Sequence, residues 1–129
     1  MAALGLWVAG ALLLSVLCWR NKHLHGMRLV AVGVALNALV IVCNSGMPVG
    51  LDAVSELGNS VRALQVVESS ALYNLQNDET RLIILADVLP VPGPRPVRAI
   101  VSLGDLLLFA GVTVTIVESS LRLHSPKVN

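Results

Sequence analysis

Aromatic residues are nearly missing from this chain: two Trp, one Tyr and one Phe make up 3% of its 129 residues. That argues against a surface on which nucleic-acid bases stack. Charge is scarce as well. Asp, Glu, Lys and Arg supply 13% of the chain, against about a quarter in an ordinary soluble domain. The net charge of +1 gives no pull toward nucleic acid, and none is expected as a partner. The two cysteines, Cys18 and Cys43, are not spaced as a zinc pair, and there is no Gly-rich phosphate loop and no helix-borne pair of histidines. His23 and His25 sit in a short basic connection. A complete zinc site wants about four ligands, so contact with anionic headgroups is the simpler reading of these two. No metal and no cofactor is expected.

What the chain does have is apolar length. Hydrophobic residues make up 55% of it, and the mean hydropathy is +0.77. Three apolar blocks stand out, at residues 2–19, 29–44 and 97–118, the first two without a charge. Each is long enough, or nearly so, to cross a bilayer as a helix, which takes about 20 residues at 1.5 Å per residue. The expected fold is therefore all-α and integral to the membrane. Residues 1–129 form one domain with three transmembrane helices, an outer segment at 45–96 and a cytoplasmic tail at 119–129. The first block has no basic residues before its apolar core and outlasts a usual signal-peptide core, which favours a retained helix.

Basic residues in short connections set the orientation. Arg20, Lys22 and Arg28 surround the first connection, and Arg122 and Lys127 lie in the tail. Both segments are expected in the cytoplasm of a cell whose plasma membrane holds the protein, with the N-terminus and the segment 45–96 outside. Trp7 and Trp19 then lie toward opposite ends of the first helix, at headgroup level. Cys18 and Cys43 fall near opposite membrane faces, too far apart for a disulfide, which needs Cα atoms within about 7 Å. They read as packing residues.

The outer segment is too long for a bare loop. Residues 52–58 read as a short helix with an acidic start and a glycine stop, and Ser60 as the cap of a second. Val61, Leu64, Val67, Ala71, Leu72 and Leu75 recur near a helical period, giving an amphipathic element suited to a membrane surface. Residues 81–89 are apolar on nearly every face, yet as a helix they would reach only about 13 Å. Prolines 90, 92, 94 and 96 follow at alternate positions. The expectation is a re-entrant or interfacial helix with an extended proline-rich return.

Polar residues in apolar surroundings are the functional candidates. Asn37 and Asn44 share one helix face, being seven residues apart. Arg81 and Asp87 bound the short apolar segment, and Asp105 lies near the outer end of the third helix. The topology places Asn44, Arg81, Asp87 and Asp105 at one depth. A structural reading stands beside the chemical one. Ser102 and Asp105 have capping-box spacing, so Asp105 is a first-turn residue. Asp87 pairs with Arg81 or Arg98, and Asn37 bonds a neighbouring helix. The small pairs Gly5/Ala9, Ala31/Ala35 and Gly104/Gly111 mark packing faces.

The blocks Leu36–Val42, Asn44–Val49, Thr80–Leu82, Leu85–Pro92 and Ser102–Leu108 together resemble the motifs of a family of small bacterial membrane proteins of unknown function. The family carries a glycine where Ser45 stands. The resemblance implies a bacterial plasma-membrane protein and supplies no activity.

Three readings of function follow. The first is a structural or accessory membrane protein, in a homo-oligomer or larger membrane complex, since no complete catalytic constellation is visible. The second is a proton, ion or small-solute pathway using Asp87 and Asp105 in an oligomer. The third is an outer-leaflet enzyme in which Asp87, Asp105 and Arg81 converge on a headgroup, with catalytic residues otherwise unassigned.

Overall fold

The computed structural model describes residues 2–56, 60–94 and 99–124. Three long helices form a bundle: α1 (Ala2–Arg20), α2 (His25–Asn44) and, at the other end of the chain, α5 (Leu103–His124). By length and composition all three can cross a membrane. Between α2 and α5 lies a cap built from β1 (Met47–Val49), α3 (Leu51–Glu56), α4 (Ser60–Ser69), β2 (Tyr73–Leu75), a 3-10 turn (Ile83–Leu85), β3 (Leu89–Val91) and β4 (Ala99–Val101). The cap strands correct the expectation of an all-α protein.

Helix α2 begins four residues before the apolar block predicted for it. It ends where Ser45 turns left-handed (φ 55°, ψ 26°). The Gly46 N–H bonds the Ile41 carbonyl at 3.0 Å, the long closing bond of a Schellman motif. Helix α5 starts at Leu103, not at residue 97, because residues 99–101 are spent on β4. It also runs on through His124, into the stretch expected as a tail.

Glycines weld α2 to α5. A Cβ on Gly33 would lie 2.6 Å from the Gly104 carbonyl oxygen, and one on Gly111 would lie 2.7 Å from the Gly26 carbonyl oxygen. Two glycines on each helix, seven residues apart, thus let the backbones touch. Of the small pairs expected from sequence, Gly104/Gly111 serves this contact. Gly5 on α1 faces open space. The partner glycines on α2, Gly26 and Gly33, fall outside the Ala31/Ala35 pair expected there.

Helix α1 rests almost wholly on α2. Ala11 and Cys18 pack with Val30 and Val34. Trp7 reaches the cluster of Val40, Ile41 and Met47, so its ring is partly packed against the bundle. Trp19 stays exposed beneath the Lys22 ammonium, 4.9 Å from its ring centre. Both cysteines are free.

The cap has its own small core of Val49, Val54 and Val67, with Leu64, Leu75 and Ile100 against it. The amphipathic stripe therefore turns partly inward, and it breaks at Ser69, after which residues 73–75 form a strand. The fully buried strand β1 lies at its centre, parallel to β2 on one side and bridged to Asp87 on the other. Pro48 fits there because it offers only its carbonyl, which accepts the Asp87 N–H at 3.0 Å.

Residues 81–89 do not form the one continuous helix expected: a single 3-10 turn, Ile83–Leu85, is helical there. The reason is competition for the backbone. Asn44 takes both polar groups of Arg81, Leu82 is left-handed (φ 57°, ψ 42°), and β1 takes Asp87. Four residues remain between them, and three of these make the turn. The proline arm is extended, as its spacing implies, and pairs antiparallel with β4. Pro90 has no N–H, so the ladder donors of β3 are Leu89 and Val91. The glycine stop at Gly58 and the arm at Pro96 lie outside the described residues.

Candidate functional site

The polar residues picked out from sequence do gather at one end of the bundle, in two saturated clusters and one exception.

The first cluster caps α5. The Ser102 hydroxyl accepts the Asp105 N–H at 3.0 Å, and the Asp105 Oδ2 accepts the Ser102 N–H at 3.0 Å. This reciprocal pair is the capping box read from the sequence. Asn37 closes it into a ring. Its Nδ2 donates to Asp105 Oδ1 at 2.8 Å, and its Oδ1 accepts the Ser102 hydroxyl at 3.0 Å. Gly104 makes the ring possible, since any Cβ there would collide with the Asn37 amide. Ser102 is fully buried and Asn37 nearly so. Residue 37 lies seven positions before the end of α2. The capped start of α5 is therefore recessed by about 10 Å below that end.

The second cluster joins α2 to the cap. Asn44 Nδ2 donates to the Arg81 carbonyl at 3.0 Å, and Asn44 Oδ1 accepts the Arg81 N–H at 2.8 Å. One amide side chain thus pairs with a backbone as a strand would. Asn74 Nδ2 adds a bond to the Asn44 carbonyl at 2.9 Å. It is the backbone of Arg81 that is held here, a role its charge gave no hint of.

Asp87 is the exception. Its backbone is committed to β1, with the Gly50 N–H on its carbonyl at 2.9 Å. Its side chain is 7% exposed, and Oδ1 has no hydrogen-bond partner. The expected lock with Arg81 is not made: among the described residues the one ion pair joins His25 to Glu118. Arg98, the other partner expected, lies outside them. Burial, and then the nearby Asp105 carboxylate, push the Asp87 carboxyl up to about 7. Burial, Asp87 and Asp105 also raise the Tyr73 phenol.

At the opposite end of the bundle, His25 Nδ1 meets Glu118 Oε1 at 2.5 Å. The pair ties the first connection to the last turns of α5. Sequence reasoning missed it, although antiparallel packing of the second and third spans would place the start of one beside the end of the other.

Among the described residues the surface carries grooves of differing character. A polar one of about 800 Å³ runs past Asn44, Asn74, Asn77, Glu79 and Arg81. A second of about 860 Å³ lies between α3 and the 3-10 turn. A third of about 340 Å³ is apolar and lies among the helices at Ala11, Val34 and Leu108. Neither Asp87 nor Asp105 lines any of them. Among the described residues no group of three His, Cys, Asp or Glu side chains is placed to hold a metal ion.

No curated protein and no solved structure matches the chain. The motif blocks that converge here, from Asn37 to Asp105, all fall inside residues 4–117, over which the chain belongs to DUF5317, a family of unknown function.

Proposed function

We propose that the protein is a structural or accessory membrane protein, whose bundle carries a rigid cap at the outer face of a bacterial plasma membrane, in a homo-oligomer or larger complex. One observation carries this: Asn37, Asn44, Ser102 and Asp105 are occupied in fixing the cap to the helices. Polar groups so committed are unavailable to a substrate. The orientation rests on charge. His25 and Glu118 put the first connection and the end of α5 at one end, where Arg20, Lys22, Arg28 and Arg122 cluster, and such clusters favour the cytoplasmic side. An impermeant thiol reagent, applied to cells carrying single cysteines in a background without Cys18 and Cys43, should label a cysteine at Asn77 and spare one at His23.

A proton pathway is the second reading, favoured by Asp87, a buried acid with an unpartnered oxygen. Vesicles loaded with a pH-sensitive dye separate the two. Purified protein should leave an imposed pH gradient unchanged. A leak that Asp87→Asn abolishes would replace the structural reading with the pathway.

A further inference from the structure

The Arg81 backbone is gripped at both its N–H and its carbonyl by Asn44, and the next residue, Leu82, is held in a left-handed conformation that Leu rarely adopts. Chain strain of this kind persists where the surroundings fix it. Here the fixed point is the base of an exposed arginine side chain that lines the polar groove. Among the described residues the acid beside it in that groove is Glu79. Asn74 and Asn77 add amides. Cys43, one residue from the end of α2, also lines it, so the groove opens where that helix leaves the apolar layer.

Three residues along the chain, the 3-10 turn displays Ile84 at 82% exposure, with Ile83 also exposed. The third residue of the turn, Leu85, packs on Val40, Ile41 and Met47 and so fastens the turn to the bundle. An apolar tip and a cation on one short anchored turn match the two halves of a lipid: acyl chain below, phosphate above. A guanidinium suits a phosphate diester. A carboxylate and amides suit hydroxyl groups and disfavour a bare anion.

We propose that this groove binds a phosphodiester that carries hydroxyl groups, supplied by the glycerol headgroup of an anionic phospholipid. The proposal rests on the membrane reading but on neither assignment of Asp87.

Native mass spectrometry of the detergent-purified full chain, after exchange into nanodiscs, reads the outcome. With phosphatidylglycerol discs, wild-type protein should retain lipid adducts at least fivefold above Arg81→Gln, while Arg122→Gln, an exposed cation at the other end, should match wild type. Phosphatidylmethanol, a diester without hydroxyls, should be retained several-fold less than phosphatidylglycerol, and Glu79→Gln should narrow that gap. Among the described residues only the backbone of Arg81 is bonded, so Arg81→Gln should melt with wild type. If that variant melts early, the Glu79→Gln comparison still decides. Soluble glycerol phosphate as competitor separates the sources: displacement of adducts assigns a soluble ligand to the same groove, and no displacement assigns the lipid. Equal retention by wild type and a folded Arg81→Gln, or equal retention of both lipids by wild type, overturns the proposal. Failure of the protein to enter nanodiscs at all would instead sink the membrane reading.

Discussion

Gly33 and Gly104 meet backbone to backbone: a Cβ on the first would stand 2.6 Å from the carbonyl oxygen of the second, and one on the second 2.8 Å from that of the first. Neither obstacle is a flexible side chain. Gly33→Ala must push two helices apart and should lower stability by about 1–3 kcal/mol, the usual range for overpacking. Gly5→Ala, in open space on α1, should instead be neutral or stabilise by up to about 1 kcal/mol through helix propensity. Thermal unfolding in one detergent compares them, and equal effects would refute the close approach.

Asp87 predicts a pH dependence of stability. Its carboxyl lies at about 7 in the fold, above its ordinary value of 3.8. Folding therefore favours the protonated acid. Its contribution is fully present below about pH 4 and is lost as pH rises through about 7. Asp87→Asn keeps the shape and cannot ionise. Its melting temperature should exceed that of wild type at pH 8 and lose the advantage by pH 4. Parallel melting curves across that range would rule out a buried acid there.

The ring of Asn37, Ser102 and Asp105 should act as a unit. Ser102→Ala removes the helix cap and should cost about 1–2 kcal/mol. A double-mutant cycle of Asn37→Ala with Asp105→Ala should show a coupling of about 0.5–3 kcal/mol, as expected for contacting members of one network. Strict additivity would mean the bond between them contributes nothing.

Ser45 occupies a left-handed position at the end of α2. An L-residue with a Cβ is strained there by about 1–2 kcal/mol, and glycine is not. Ser45→Gly should raise the unfolding temperature of the detergent-solubilised protein, unlike Ser55→Gly, whose helical site gains nothing from glycine.

Much of this was legible in the sequence. A run of apolar residues as long as a bilayer is thick can do little else than form a spanning helix, and all three blocks became long helices. The Ser102–Asp105 box was readable because capping needs only local spacing. The cap resisted for the opposite reason. Residues 81–89 look helical by composition, and what prevents the helix is remote: the Asn44 amide and the edge of β1, each about forty residues earlier in the chain. The Asn37 bonds to Ser102 and Asp105 also span the length of the cap, so a helix–helix amide contact could be expected while its partners could not. Gly26 and Gly33 went unnoticed because seven-residue spacing of two glycines is weak evidence until the facing pair is seen.

Because α1 leans on α2 and scarcely on α5, sideways tilting of the amino-terminal helix is transmitted to the cap by way of α2 and of the Val40, Ile41 and Met47 cluster against which Trp7 packs. That helix is the molecule's axle: welded by glycine to one neighbour, greased by side chains against the other, and fastened at its tip by Asn44 and Asn74.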